Sequence, residues 1–509
     1  MKQVWGIIGF GFLLGQTDLD AERWSQSLPQ GSARAIAMGG AFTALGGDPA
    51  NLVQNPAALG IFVRGGVWVS PALSLPIAST TYIDKSSESR THLSLSQFAL
   101  ILHAKGGKKI TQWNFGFGYN QEGFFTQNTR ARGFNFRNSL TQAIAEQAEG
   151  IPDSLLFGIP QLAYNTFVQN PSGSPSSWGV IDYISVNPWR YRGAFFQGGV
   201  LQDISRQERG HLHTWGIGAG FCYQNTIFFG ASLLIRSLRY TNLYRFREID
   251  QENRYNGQNQ TSPADEVVLR EKYSSSGSGV GLSVGVLVEP VEYFRFGLSF
   301  LTGSRLRITD EYTADMEFRV DDGRVGIASY EEPFQFEYRF TYPYRVSAGL
   351  AFIIPDRGLV AIEGDFLDYR TVSFSSSSYT YDRENEFIEN AFAAAYNIRA
   401  GTEWLIGEGL SIRGGYAYYS PVRNVEARQY YSDPQRPQEL TSLPMQRQFF
   451  SFGLGYAFSS FFVDIAYVYA LSSQKYLPYF LRDPSYAPAP VVVNQVRMHR
   501  VVTTLGFRF

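Results

Sequence analysis

A few stretches of the chain carry residue types whose spacing could do chemistry. "GLSVG", Gly281 to Gly285, matches the G-x-S-x-G pattern that presents a serine, here Ser283, on a sharp strand-to-helix turn. The neighbouring residues instead alternate as one continuous strand that ends at an "EPVE" turn. "HLH" sets His211 and His213 on one strand face, as metal ligands sometimes stand. The chain has five histidines and no third ligand follows nearby, so a rim position is expected. "GSGVGL" does not open a helix and is no nucleotide loop. No nucleophile–base pair has supporting context; no enzymatic activity, cofactor or metal is expected. One chemistry remains, capture of a carboxylate by a guanidinium, with Arg345, Arg399 and Arg413 as candidates. Each falls opposite the bulky residues of its strand. The competing reading is that they pair with Glu403, Glu363 and Asp365 on neighbouring strands and neutralise the wall.

The elements that would position those arginines are strands. In "TWGIGAGFCYQ", Trp215, Ile217, Ala219, Phe221 and Tyr223 share one face and Gly216, Gly218, Gly220 and Cys222 the other. "WNFGFGYN" and "SFGLGYAF" repeat the pattern with Phe115, Phe117, Leu454 and Tyr456 on the bulky side. Period two marks a sheet between two different environments. Segments near ten residues long suit a tilted strand crossing a bilayer, with the small and charged residues facing a lumen. Strands are expected near 66–75, 93–104, 112–121, 213–224, 226–240, 279–289, 292–309, 344–354, 358–370, 395–406, 409–419, 447–458, 461–471 and 498–509. Every second connection is short, and the others are long, the largest being 122–212. That rhythm is how outer-membrane barrels are built, with the short side periplasmic. The expected fold is therefore all-β, a transmembrane antiparallel barrel of about 14 strands.

Composition agrees. The 509 residues carry 44 Lys+Arg against 45 Asp+Glu, a net charge of −1, so nothing favours nucleic acid as a partner. Aromatics reach 16% against 17% charged residues, which leans toward an all-β protein with much apolar surface. A single cysteine, Cys222, rules out an intramolecular disulfide. At the N-terminus, "MKQVWGIIGFGFLLG" reads as a signal peptide within 1–21, with cleavage after Gly15 or Ala21. Residues 61–509 form the barrel, and Phe509 ends its last amphipathic strand. A terminal aromatic of this kind resembles the signal that such barrels present to their assembly machinery.

Between signal and barrel lies "GSARAIAMGGAFTALGGDPANLVQNPAALG", rich in Gly and Ala, with Asp48, Pro49 and Pro56. Small residues let a backbone fold tightly in a confined space, and the prolines block strand pairing with the wall. Residues 22–60 are expected to plug the lumen. The stretch, with Gly39, Gly40, Asp48, and its Asn55, Pro56 and Ala57, resembles the N-terminal hatch of the FadL/OmpP1/TodX family. "YFRFGLSFLTGSRLRITDEY" and "FFSFGLGYAFSSFFVDIAYVYA" are also similar to family strands. The resemblance implies a bacterial outer-membrane protein, a monomer in contact with outer-membrane lipid. It also implies passive transport of a hydrophobic small molecule, a long-chain fatty acid or aromatic hydrocarbon. Loops would capture the ligand, the lumen bind it, the hatch move, and the ligand leave sideways. Some relatives instead act as partners in protein secretion across the outer membrane, which is the alternative function.

Within 122–212, "SLTQAIAEQAEG" reads as a helix with Ser139 and Gln142 in capping-box spacing. Leu155, Leu156, Phe157, Ile159 and Leu162 follow, either capping the barrel by packing together or forming an apolar landing groove.

Overall fold

The computed structural model describes residues 18–25, 27–169, 177–186, 188–257, 263–423, 447–483 and 485–509. Of the expected signal peptide, 1–21, residues 1–17 fall outside them, as does most of the connection 420–446. A closed antiparallel barrel of 14 strands accounts for most of the rest. Its first strands are β1 (Gly66–Thr81), β2 (Lys85–Ser89, continued by His92–Lys105) and β3 (Ile110–Phe124, continued by Gln127–Asn135). Next come β4 (Val200–Tyr223), β5 (Ile227–Ile249) and β6 (Ala264–Val291). β7 (Phe294–Leu301 and Arg305–Val320), β8 (Phe334–Thr341 and Arg345–Ile354) and β9 (Gly358–Asp368) follow. β10 (Ala394–Leu405), β11 (Leu410–Tyr419), β12 (Arg447–Phe458), β13 (Phe461–Tyr476) and β14 (Val492–Arg508) complete the circuit. Closure is direct: β14 pairs with β1 from Arg508↔Gly66 to Val493↔Thr81. Closure removes the two outer edges that an open sheet would leave.

The half nearest the short turns follows the alternation in the sequence. Ile217, Leu282, Leu298, Phe452 and Leu454 are exposed on the outer face, where lipid replaces water. Aromatic rings pair across strands in this belt, Phe117 with Trp215 at 5.2 Å and Tyr416 with Phe450 at 5.2 Å between centroids. Among the described residues no helix is long and apolar enough to cross a membrane, and the crossing is made by strands.

The half nearest the long loops inverts that polarity, and here the structure corrects the expected strand ends. Stretches 241–278 and 310–343, read as loops, are largely strand: β5 runs to Ile249, β6 starts at Ala264 and β7 reaches Val320. Above the bilayer the outer face meets water, so it carries Arg245, Arg247, Arg270 and Asp315, and the apolar face turns inward. Val267, Leu269, Phe246, Met316 and Phe318 are buried there in one large core. A search for bulky outward residues misses such strands.

That core is completed by two insertions. Helix α1 (Asp18–Ser25) places Trp24 edge-on to Phe125 and Tyr240. Segment 136–199 carries α3 (Leu140–Ala148) and α4 (Gly158–Asn165). Ser139 caps α3, its hydroxyl accepting from the Gln142 amide at 3.1 Å, and Leu140, Ala143 and Ile144 are buried. The described residues also form α2 (Ala33–Ala37) and α5 (Asp382–Ala391).

Candidate functional site

Residues 27–65 pack against the small-residue face of the wall strands, at Gly297, Gly401 and Gly415 among other positions. Their fold is set by three small caps. Ser32 opens α2, accepting from the Ala35 amide at 3.2 Å and donating to Asp48. Asp48 accepts from the Ala50 amide at 2.9 Å, starting the turn Pro49–Leu52. Asn55 accepts from the Ala57 amide at 3.1 Å, starting Pro56–Ile61. In both turns proline fills a position that has no use for an N–H. Gly39 and Gly40 adopt φ of +67° and +83°, which residues with a Cβ avoid.

The small face of the wall strands exists to admit this segment. A methyl at Gly297 would overlap the Thr43 carbonyl, one at Gly401 the Met38 carbonyl, and one at Gly415 the Gly39 amide. Polar ties cross the same contact. Arg34 donates Nε and Nη2 to Glu403 at 2.8 and 2.9 Å, the Thr43 amide donates to Glu363 at 2.8 Å, and Asn55 Nδ2 donates to the Val286 carbonyl at 3.4 Å.

Of the three arginines expected to face the lumen, Arg399 pairs with Glu363 and Asp365, and Arg413 with Glu403 and Asp464. Both are committed to the wall, and through Glu363 and Glu403 to the hatch. Arg345 is buried and makes no ion pair among the described residues. The alternation also places Arg447 and Arg500 inside, opposite Phe450 and Val501, and neither is among the candidates named from the sequence. Arg447 donates to the Ser27 carbonyl at 2.9 Å and stacks on Tyr419 at 5.3 Å. Arg500 donates to Ser96 Oγ at 3.2 Å and Gln121 Oε1 at 2.9 Å. Neither makes an ion pair among the described residues; Glu22, which shares the cavity with Arg447, is held by Arg423. Parity could have found them; which arginines lack a partner depends on cross-strand register, which parity does not give.

Arg447 lines a cavity of about 180 Å³ above the hatch. Leu28, Phe124, Phe125, Phe449, Leu471 and Met498 supply its apolar side, and Glu22, Arg23 and Glu208 its charged side, with Glu22 held by Arg423 and Glu208 by Arg206. The cavity reaches β3 where that strand leaves its neighbour. The ladder between β2 and β3 runs from Lys105↔Gln112 to Gln97↔Asn120 and then ends. A backbone bond reappears only at Asp84 N to Arg132 O, 2.9 Å. Between these points side chains bridge the strands, as in Ser94 Oγ donating to Gln121 at 3.2 Å. The cause is local: a bulge where β3 faces Leu212 and His213 leaves Glu122 as an extra residue. Glu122 turns into the lumen, pairing with Arg236 at 3.1 Å, and β3 breaks at Phe125–Thr126.

The apolar run in the long insertion is mostly consumed by packing. Leu156, Ile159 and Leu162 are buried in the upper core, Phe157 is half-buried and Leu155 is exposed. Ser283 lies in the middle of β6, with no strand-to-helix turn, and is buried against the lumen. His211 and His213 stand on β4 at the upper rim of the apolar belt, their rings stacked at 5.0 Å.

No family model matches the sequence, and no curated protein matches it. Solved structures do. The toluene transporter TodX of P. putida aligns over 95% of this chain and 99% of its own, at 13% identity and TM-score 0.52. A FadL homologue of Pseudomonas aeruginosa aligns over 95% and 99%, at 11% identity and TM-score 0.52. A TodX deltaS2 mutant, described as a monoaromatic hydrocarbon channel, aligns over 95% and 99%, at 14% identity and TM-score 0.51. With its closed wall, its lipid-facing belt and the segment packed in its lumen, the chain has the fold of the FadL- and TodX-type outer-membrane barrels.

Proposed function

We propose that this protein carries acidic hydrophobic molecules, long-chain fatty acids foremost, across the outer membrane. The observation that carries the reading is Arg447: a half-buried guanidinium on a cavity with an apolar side, in no ion pair among the described residues, while the carboxylates that share the cavity, Glu22 and Glu208, are held by Arg423 and Arg206. A buried charge is costly unless paired, and a ligand carboxylate would complete it. Toluene, for which the solved transporter TodX is named, would leave Arg447 unanswered. Exposed apolar residues on the outer insertion, Leu155, Phe167 and Phe136, offer a first contact from the external side.

Exit would be sideways, through the stretch where β2 and β3 lack a ladder. The hatch borders that path at Leu28, whose amide donates to the Glu122 carbonyl at 2.9 Å. Shifting Leu28 alone would join cavity to wall opening while the rest of the hatch stayed locked. Arg500, at the foot of the opening, would meet the carboxylate on its way out.

The test is organic extraction and mass spectrometry of the protein purified in mild detergent. Wild type is expected to yield about one fatty acid per chain, and Arg447→Met to yield little. A neutral hydrocarbon retained equally by both would overturn the acidic-ligand reading. An empty barrel holding a tightly bound protein would favour the secretion-partner alternative.

A further inference from the structure

The outer face of β4 to β7 changes character within two residues of the lipid belt. Leu233, Ile235, Val280 and Leu282 are exposed to lipid. One step outward, β6 presents only Ser274, Ser276 and Ser278, in the run "SSSGSG". Its flanks carry Arg209 and Arg239 on β4 and β5 and Arg305 and Arg307 on β7, with Glu311 across from Ser274 marking the outer end of the cationic stretch. Register fixes their places. Arg239 lies across from Ser276, and Ser278 across from Arg307. At a strand spacing of about 4.8 Å, the Arg239 and Arg307 backbones stand roughly 12 Å apart, with the serines between them. Arginine side chains from both sides reach over a low floor of hydroxyls.

All four arginines are exposed, and none is in an ion pair among the described residues. Higher on the same face the pattern differs. Arg130 pairs with Asp203, Arg247 with Glu266, Arg270 with Asp315 and Glu317, and Arg319 with Glu317. Unanswered positive charge is thus gathered where the apolar wall meets the polar zone, on the long-loop side that faces outward.

We infer that this trough binds the phosphorylated sugar headgroup of an outer-leaflet glycolipid, with its acyl chains lying on the apolar wall below. Guanidinium groups and hydroxyls are the donors that phosphate oxygens take, and planar arginine forks suit them better than lysine. The occupant is a membrane lipid rather than a soluble anion because the trough is continuous with Ile235, Val280 and Leu282. An acyl chain attached to the headgroup has its place there already. The site is separate from the lumen and does not depend on what the barrel transports.

The test is native mass spectrometry of the full-length barrel titrated with bisphosphorylated lipid A and, in parallel, with its dephosphorylated form. The wild-type protein is expected to bind the phosphorylated lipid and to bind the dephosphorylated lipid much more weakly. Each arginine removed should weaken binding about fivefold, and the pair Arg239→Ser with Arg307→Ser about thirtyfold. Removing two turn lysines, Lys108→Ser with Lys109→Ser, should change nothing. Equal affinity for the two lipids, or an Arg239→Ser/Arg307→Ser protein that binds like wild type, would overturn the inference. The two-lipid comparison uses the unaltered protein, so it decides the matter even if the double variant folds poorly.

Discussion

Replacing Glu403 by Gln should free the hatch without opening the wall. Glu403 accepts two parallel bonds from Arg34 and a further bond from Arg413, which also holds Asp464. The substitution keeps the shape but leaves Arg34 without a charge partner. Breaking one partner of a buried pair costs about 3–5 kcal/mol. The barrel can absorb that loss, because its strands are held by ladders on both sides. The hatch cannot: its fold rests on a few caps and on wall contacts, and Arg34 is the residue that ties α2 to β10. The expected outcome is faster hydrogen exchange across 33–47 with exchange in the strands unchanged. Ion conductance should also appear in planar bilayers where wild type is closed. Arg34→Met combined with Glu403→Gln removes both charges and should recover part of the loss, giving a coupling energy of about 1–3 kcal/mol. If Glu403→Gln alone exchanges and conducts like wild type, the ion pair does not hold the hatch.

Three further outcomes follow from the same structure. Gly415→Val should displace the hatch at Gly39, destabilising it by about 1–3 kcal/mol through overpacking, seen as hatch-only proteolysis. Asp20 and Ala21 are buried in the upper core, so intact-mass analysis of the mature protein should place its first residue at Gln16; a start at Glu22 would contradict the packing of α1. Burial pushes the Glu248 carboxyl up to about 7, against the opposing bonds it accepts from Gln202 and the Leu140 and Thr141 amides. Its protonated form is favoured in the fold, so its contribution is full below about pH 4.5 and fades by about 1.4 kcal/mol per unit as pH rises to 7. Exchange protection of α3, corrected for intrinsic rate, should fall over that range and become flat in Glu248→Gln.

What the sequence made legible was the part of the fold that a bilayer dictates. Trp215, Ile217 and Phe452 must face lipid, and period two then places Gly216, Arg413 and Glu403 inside. The small residues Gly39, Gly40 and Ala57 and the prolines Pro49 and Pro56 mark a compact segment with no strand to pair, whereas the caps at Ser32, Asp48 and Asn55 emerge only in the structure. The upper half of the barrel was illegible because its polarity is reversed: Arg270 and Glu317 outside, Leu269 and Phe318 inside, look like loop to a reader seeking bulky outward residues. The purpose of the glycines was half visible. Their side of the strand was clear, but that Gly297 and Gly415 seat Thr43 and Gly39 depends on contacts between segments hundreds of residues apart. The same holds for Arg447, whose parity can be read from "QRQFFSFG" while its missing partner cannot.

Lateral passage between β2 and β3 is the step on which the proposed transport depends. The Gln121 side chain reaches across that stretch to Ser94, with Ser94 Oγ 3.2 Å from Gln121 Oε1. In a Cys222→Ser background, Ser94→Cys and Gln121→Cys joined by a short bis-methanethiosulfonate linker would staple the opening shut. Uptake of a labelled long-chain fatty acid by cells carrying this protein should fall to background when cross-linked and return when the linker is reduced off. Undiminished uptake through the cross-linked barrel would show that the ligand leaves by another route.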